Sequence, residues 1–187
     1  GTGALFTYTV DDGSSSSTEA TVSVTVTAVN DVPVIGGVNG STATYILTTA
    51  IPITFTGTIT DVDSIFNGGT LTATIATNLT TGDQLAIEED KYIRLWGASN
   101  NIVAYTPTGV NGTADRIGEW TGGTGTNPLV ITFDKDAATS DAVQALLRRI
   151  AFSATNLGTG PRTVEFTLTD GDGGTSDTAT VTINVVP

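Results

Sequence analysis

The groups in this chain best suited to do chemistry are carboxylates and side-chain amides gathered at turns. One set comprises Asp12, Asn30, Asp31, Asp61 and Asp63, with Asp11, Glu19 and Asn67 as further members. A hard cation such as Ca2+ takes about six to eight oxygen ligands, from carboxylates, amides, backbone carbonyls and water. Asp61-Val62-Asp63 at a strand end can aim two carboxylates at one point while neighbouring turns supply the rest. Packed closely without a cation, such groups would repel one another and their pKa values would rise. The competing reading is a solvated acidic turn, because Asp and Asn favour turns in any case. Asp170, Asp172 and Asp177 form a second set, read either as half of a cation site or as a polar hairpin turn. Asp134-Lys135-Asp136 precedes a helix and reads as a solvated turn.

Other chemistries are disfavoured. The chain has no cysteine and no histidine, which removes disulfides, thiolate nucleophiles and the usual zinc, copper and haem ligands. Acid–base work would fall to carboxylates, Lys91, Lys135 or Tyr, and Glu88-Glu89 would point to opposite faces of a strand, so no enzyme is expected. The net charge of −12 repels nucleic acid and anionic lipid. No run approaches the about 18 apolar residues of a membrane span, so no membrane insertion is expected. The opening Gly1-Thr2-Gly3-Ala4-Leu5 does not read as a signal peptide, and the chain reads as an excised segment of a longer one. Trp96, beside the loop at 97–101, is a candidate for sugar stacking, with Tyr92 and Trp120 read more readily as core. Asn39, Asn78 and Asn111 lie in short glycosylation sequons.

Positioning these groups is the task of an all-β chain. Val164, Phe166 and Leu168 alternate with polar residues, as do Val181, Ile183 and Val185, around the acidic turn at 170–174. The same hairpin pattern occurs near the start. Tyr8-Thr9-Val10 matches Phe166-Thr167-Leu168, Asp12-Gly13 matches Asp170-Gly171, and the run from Ala20 matches the run from Ala179. Two copies of one closing hairpin, a domain apart, mark a tandem array. Residues 1–30 therefore read as the C-terminal hairpin of a preceding repeat, and 31–187 as one complete repeat. Strands are expected over 5–10, 20–29, 51–59, 71–76, 85–87, 92–96, 102–105, 116–120 and 129–133. One helix is expected after Thr139-Ser140-Asp141, with Val143, Leu146, Leu147 and Ile150 on its apolar face and Arg148 and Arg149 in its last turn.

Several of these motifs, in order, resemble the bacterial cadherin-like repeats of large extracellular adhesins and matrix proteins. The linker TVTAVNDVPVI, the segment TDVDSIFNGGTLTATI, and the distal runs DAVQALLRRIAFSAT and RTVEFTLTDGDGGTSDTATVTINV carry the resemblance. It implies a cadherin-like or Ig-like β-sandwich with one short helix. It also implies Ca2+ ligands from Asn30, Asp31, Asp61 and Asp63 at the junction of two repeats, which would stiffen an extended adhesive stalk. The expected partners are neighbouring repeats, or other copies joined head to tail by strand addition into a filament. Surface glycans bound through Trp96 are the alternative.

Overall fold

The computed structural model describes residues 3–46, 49–63, 65–97, 99, 101–109, 113–156, 158 and 160–186. It is all-β apart from one short helix, as the alternation predicts. The chain divides into two compact units, Gly1–Asn30 and Asp31–Pro187.

The N-terminal unit is a single antiparallel hairpin of β1 (Gly3–Tyr8) and β2 (Ala20–Thr25). The second strand ends before the expected residue 29. Val26 continues the alternating row but is exposed, as is Val29, and among the described residues the ladder ends at Gly3 and Thr25.

In the larger unit, the chain runs through β3 (Val34–Gly36), β4 (Ser41–Ile46), β5 (Ile51–Pro52), β6 (Thr58–Thr60), β7 (Thr70–Thr77), β8 (Gln84–Ile87), β9 (Ile93–Trp96) and β10 (Ile102–Tyr105). It continues through β11 (Asp115–Thr121), β12 (Leu129–Phe133), α1 (Ser140–Leu147), β13 (Ile150–Ser153), β14 (Arg162–Leu168) and β15 (Ala179–Val186). An eight-stranded sheet has the order β4-β15-β14-β7-β12-β11-β10-β9, a three-stranded sheet the order β5-β13-β8, and β3 pairs with β6. Every pairing is antiparallel except that of β15 with β4. One apolar core joins all three sheets and the helix. It takes Leu71, Ile131, Phe166 and Val181 from the large sheet, Leu85 and Phe152 from the three-stranded sheet, Ile35 and Ile59 from the small pair, and Val143, Leu146 and Leu147 from α1.

Three expectations are corrected. Residues 51–59 do not form one strand, because Thr54 Oγ1 accepts N–H bonds from Thr56 and Gly57 and closes a turn between β5 and β6. The helix ends at Leu147, with Arg148 as its C-cap, so neither arginine lies in its last turn. Ile150 is buried not as a helical residue but as the first residue of β13. The N-terminus behaves as read, since Thr139 Oγ1 accepts from Ala142 N–H. The strands β3 and β4 carry no alternation of large apolar residues and are held by their partners β6 and β15.

One core position is charged. Arg162 occupies the inward-facing row of β14 with Val164, Phe166 and Leu168, and all four are fully buried. Its guanidinium meets Asp83, also fully buried, through Nε–Oδ2 at 3.0 Å and Nη2–Oδ1 at 3.2 Å. Thr80 donates its backbone N–H and its hydroxyl to the same carboxylate, both at 2.9 Å, and Arg162 also donates to the Gly160 carbonyl. Removing one partner leaves the other charged in the core. Arg162→Ala or Asp83→Ala should therefore cost about 3–5 kcal/mol, while a paired apolar replacement such as Arg162→Met with Asp83→Leu should recover most of that loss. Urea denaturation of the three variants measures this directly.

Candidate functional site

The register of β3 and β6 assembles the first acidic set. Val34 pairs with Thr60, so Asp31, three residues before Val34, falls opposite Asp63, three residues after Thr60. The Asp31 N–H accordingly donates to both oxygens of the Asp63 carboxylate, at 3.4 and 3.3 Å. Asp61 Oδ1 accepts from the Asp63 N–H at 3.3 Å, which folds the Asp-x-Asp segment back on itself. Asp61 Oδ2 is shielded from solvent. The Asp31 backbone and the Asp63 carboxylate thus meet, and Asp61 and Asp63 share one turn.

The other expected members divide. Asn67 donates its amide to Asp136 at 2.7 Å, so its side chain is engaged across a loop. That contact and the ion pair of Asp134 with Arg116 correct the reading of 134–136 as a merely solvated turn. Asp12, Glu19 and Asn30 belong to the N-terminal unit. There Asp12 Oδ1 accepts N–H bonds from Ser14 and Ser15, both at 2.9 Å. Asp11 accepts from the Ser16 hydroxyl and the Gly13 N–H. Hydrogen bonds to the charged form hold both carboxyls below the usual range: from Ser16 and then Gly13 for Asp11, and from Ser15 and then Ser14 for Asp12.

The second acidic set is mostly structural in its contacts. Asp170 is fully buried, and its Oδ1 accepts backbone N–H bonds from Asp172, Gly173 and Gly174 at 2.8, 3.0 and 2.9 Å. This carboxylate shapes the turn from inside. Asp172 and Asp177 are exposed. Gly171 is a required glycine. Its φ is +93°, and a Cβ there would lie 2.4 Å from the Asn67 carbonyl oxygen. The loop that follows the Asp-x-Asp segment is thereby packed onto the hairpin turn.

The donor set is entirely oxygen, which suits Ca2+ better than softer metals. Among the described residues, no three His, Cys, Asp or Glu side chains already form a metal-sized group. Asp31, Asp61 and Asp63 could supply only part of a coordination shell, and backbone carbonyls and water would have to supply the rest.

Trp96 ends β9, the outermost strand of the large sheet, and is 41% exposed, whereas Trp120 packs half-buried against the core. Glu88 and Glu89 follow β8 rather than lying in a strand, and Glu89 accepts from the Leu95 N–H. Of the sequon residues, Asn39 accepts from Thr180 and Asn78 donates to the Pro161 carbonyl, while Asn111 lies outside the described residues. Among the described residues, no helix is long and apolar enough to cross a membrane.

The feature that sequence reasoning understated is how closely the two hairpins agree. Tyr8 pairs with Ala20 and Phe6 with Val22, as Phe166 pairs with Ala179 and Val164 with Val181. Val10 N–H donates to Ser17 Oγ at 2.9 Å, and Leu168 N–H donates to Ser176 Oγ at 3.0 Å. The return bonds also match, Ser17 N–H to Val10 O at 2.7 Å and Ser176 N–H to Leu168 O at 2.8 Å. Burial separates them. Phe166 and Leu168 are 0% exposed, but Tyr8 and Val10 are 53% and 63% exposed. Comparison with known proteins finds no matching family model, no matching curated protein and no matching solved structure.

The Arg116 guanidinium bonded to Asp134 holds that carboxyl below the usual range. A depressed carboxyl stabilises the fold above its unfolded pKa, and the contribution disappears as the pH falls through the folded value. Asp134→Asn should therefore lower the urea midpoint slightly at pH 7 and match the wild type once the pH lies well below about 4. A gap that persists in acid would place the effect elsewhere. Asp170→Ala would leave three backbone donors in the turn without their acceptor, at an expected cost of about 3 kcal/mol or more. Thermal or urea unfolding tests it.

Proposed function

We propose that this chain is a segment of a tandem array in a large extracellular structural or adhesive protein of the bacterial cadherin-like kind. Residues 31–187 form one β-sandwich repeat, and residues 1–30 are the closing hairpin of another. The observation that supports this is the shared register and turn bonding of β1–β2 and β14–β15. In the larger unit this hairpin is inserted between β7 and β4 and buries its apolar rows. Within the N-terminal unit nothing covers the equivalent side chains, and a two-stranded hairpin alone is marginal in water. A neighbouring repeat of the same kind would supply the missing cover.

The same observation weighs against identical copies joined by strand addition. The acceptor for such a hairpin would be the gap between β7 and β4, and β14–β15 already fill it. Covalent repeats are the simpler arrangement.

Ca2+ is proposed to bind at Asp31, Asp61 and Asp63; the supporting contacts are the Asp31 N–H on the Asp63 carboxylate and the Asp63 N–H on Asp61, where the chain enters β3 and leaves β6. Asp12, Glu19, Asn30 and Asn67 are not carried into this site: Asp12 holds its own turn, Asn67 bonds to Asp136, and Glu19 and Asn30 belong to the N-terminal unit. The ion would neutralise the acidic loop and stiffen the segment that leads into the repeat. Without it, carboxylate repulsion would leave that segment looser.

A thermal melt in EDTA, then with Ca2+ or Mg2+ added back, tests the proposal. A ligand bound only by the folded state, at 100 times its Kd, stabilises by about 2.7 kcal/mol. A rise of several degrees specific to Ca2+, lost in Asp61→Ala and Asp63→Ala, is expected. Equal melts in EDTA and Ca2+ would remove the ion from the proposal.

A further inference from the structure

A cleft of about 450 Å3 opens beside α1, with Phe55, Tyr92, Tyr105, Asp141, Gln144 and Arg148 in its wall. Its volume falls within the roughly 300–1,000 Å3 of small-ligand sites. It is separate from the acidic loop and from Trp96, and nothing in the fold requires several of its features.

The polar groups come from one stripe of the helix. Asp141 and Gln144 lie on α1 and Arg148 caps its end, a spacing of i, i+3 and i+7 that sets them on one side. Two are anchored by one atom and have others left over. Gln144 Oε1 accepts from the Ile59 N–H at 3.3 Å, which leaves its amide nitrogen as a donor. Arg148 Nε donates to the Gly57 carbonyl at 2.7 Å, which leaves the two terminal nitrogens of the guanidinium fork.

The aromatic groups are equally well placed to receive something. Asp90 Oδ1 accepts from the Tyr92 and Ile93 N–H groups, both at 2.8 Å, and fixes the turn that carries Tyr92. Gly109, at φ +69°, lies so close to the Tyr92 ring that a Cβ would come within 2.6 Å of it. The Lys91 ammonium sits 4.7 Å from the same ring centroid. Tyr105 is half-buried, and burial together with the nearby Asp141 charge keeps its phenol protonated as a donor. Phe55, at 71% exposure, contributes little to the core and stands at the rim.

Flat aromatic faces beside planar donors and acceptors suit a ring with apolar C–H faces and vicinal hydroxyls. The charges in the wall balance, with Asp90 and Asp141 against Arg148 and Arg149. The chain as a whole carries −12, which disfavours a polyanion. We propose that this cleft binds a neutral pyranose saccharide, with Phe55 receiving the ring face, Tyr92 lining the wall beside it, and Asp141, Gln144 and Arg148 bonding its hydroxyls. The proposal is independent of the Ca2+ reading and gives the repeat a ligand of its own.

The test is titration of the full chain with cellohexaose, chitohexaose, maltohexaose and mannohexaose, followed by calorimetry and amide NMR, with polygalacturonate as the anionic comparison. The expected result is binding of at least one neutral probe with a Kd of about 1 mM or tighter. Shifts should centre on Tyr92, Gln144 and Arg148. Phe55→Ala and Asp141→Asn, checked for an unchanged fold by their spectra, should each weaken binding at least tenfold, and Trp96→Ala should not. The proposal is overturned by no binding of any neutral probe or by tighter binding of polygalacturonate. It is likewise overturned by shifts centred on Trp96 or by wild-type affinity in both cleft variants.

Discussion

Arg162 and Asp83 meet in the core with neither exposed to water, and much of the larger unit is arranged around that fact. A buried ion is tolerated only where its partners are complete, because desolvation of each charge costs several kcal/mol. Here Thr80, Gly160 and Asn156 supply the remaining hydrogen bonds. Arg162 opens β14 in the eight-stranded sheet, and Asp83 immediately precedes β8 in the three-stranded one. The pair therefore fixes where the two sheets approach one another. With the start of β14 held, the hairpin it forms with β15 lies in one register, and its turn at 170–174 becomes a fixed surface. The loop that leaves the Asp-x-Asp segment packs on that surface through Gly69 and Gly171, where a side chain would strike backbone.

Several of the chain's carboxylates are held by backbone N–H groups of their own turns. With 7 basic residues against 19 acidic, most carboxylates cannot find a cationic partner. Asp11, Asp12, Asp90 and Asp170 each accept N–H bonds from residues two to four further along and so create the turns they occupy. Such carboxylates are committed to local structure. Asp63 differs in being brought against the Asp31 backbone by the pairing of two strands, and this is the physical ground for placing the proposed ion there rather than at the hairpin turns.

The two hairpins show how context decides the fate of one local design. Register, serine bond and acid-capped turn are the same in both, so these properties belong to the local sequence. Burial is different, because only β14–β15 is flanked by β7 and β4 and covered by a core. The inward position of Arg162 corresponds to Ala4 in the first hairpin, so the buried ion pair is particular to one copy.

The sequence by itself determined what depends on neighbours a few residues away. Alternation specified the all-β class and most strands, Thr139 announced the helix start, and the Asp-x-Asp and Asp-Gly segments identified the acidic turns. Repetition of the hairpin was also legible, since it is a comparison of one stretch with another. Tertiary structure decided what depends on distant partners. Apolar period carried Ile150 into the helix, but its burial comes from β13, and Thr54 divided an alternating run that looked like one strand. The strand β4, built largely from small residues and threonine, is a strand because β15 offers it a parallel ladder. Nothing local joins Asp83 to Arg162 or Asn67 to Asp136, because their separations are closed only by the packing of sheets. Side-chain alternation records which face is apolar, but it does not record which distant face will meet it.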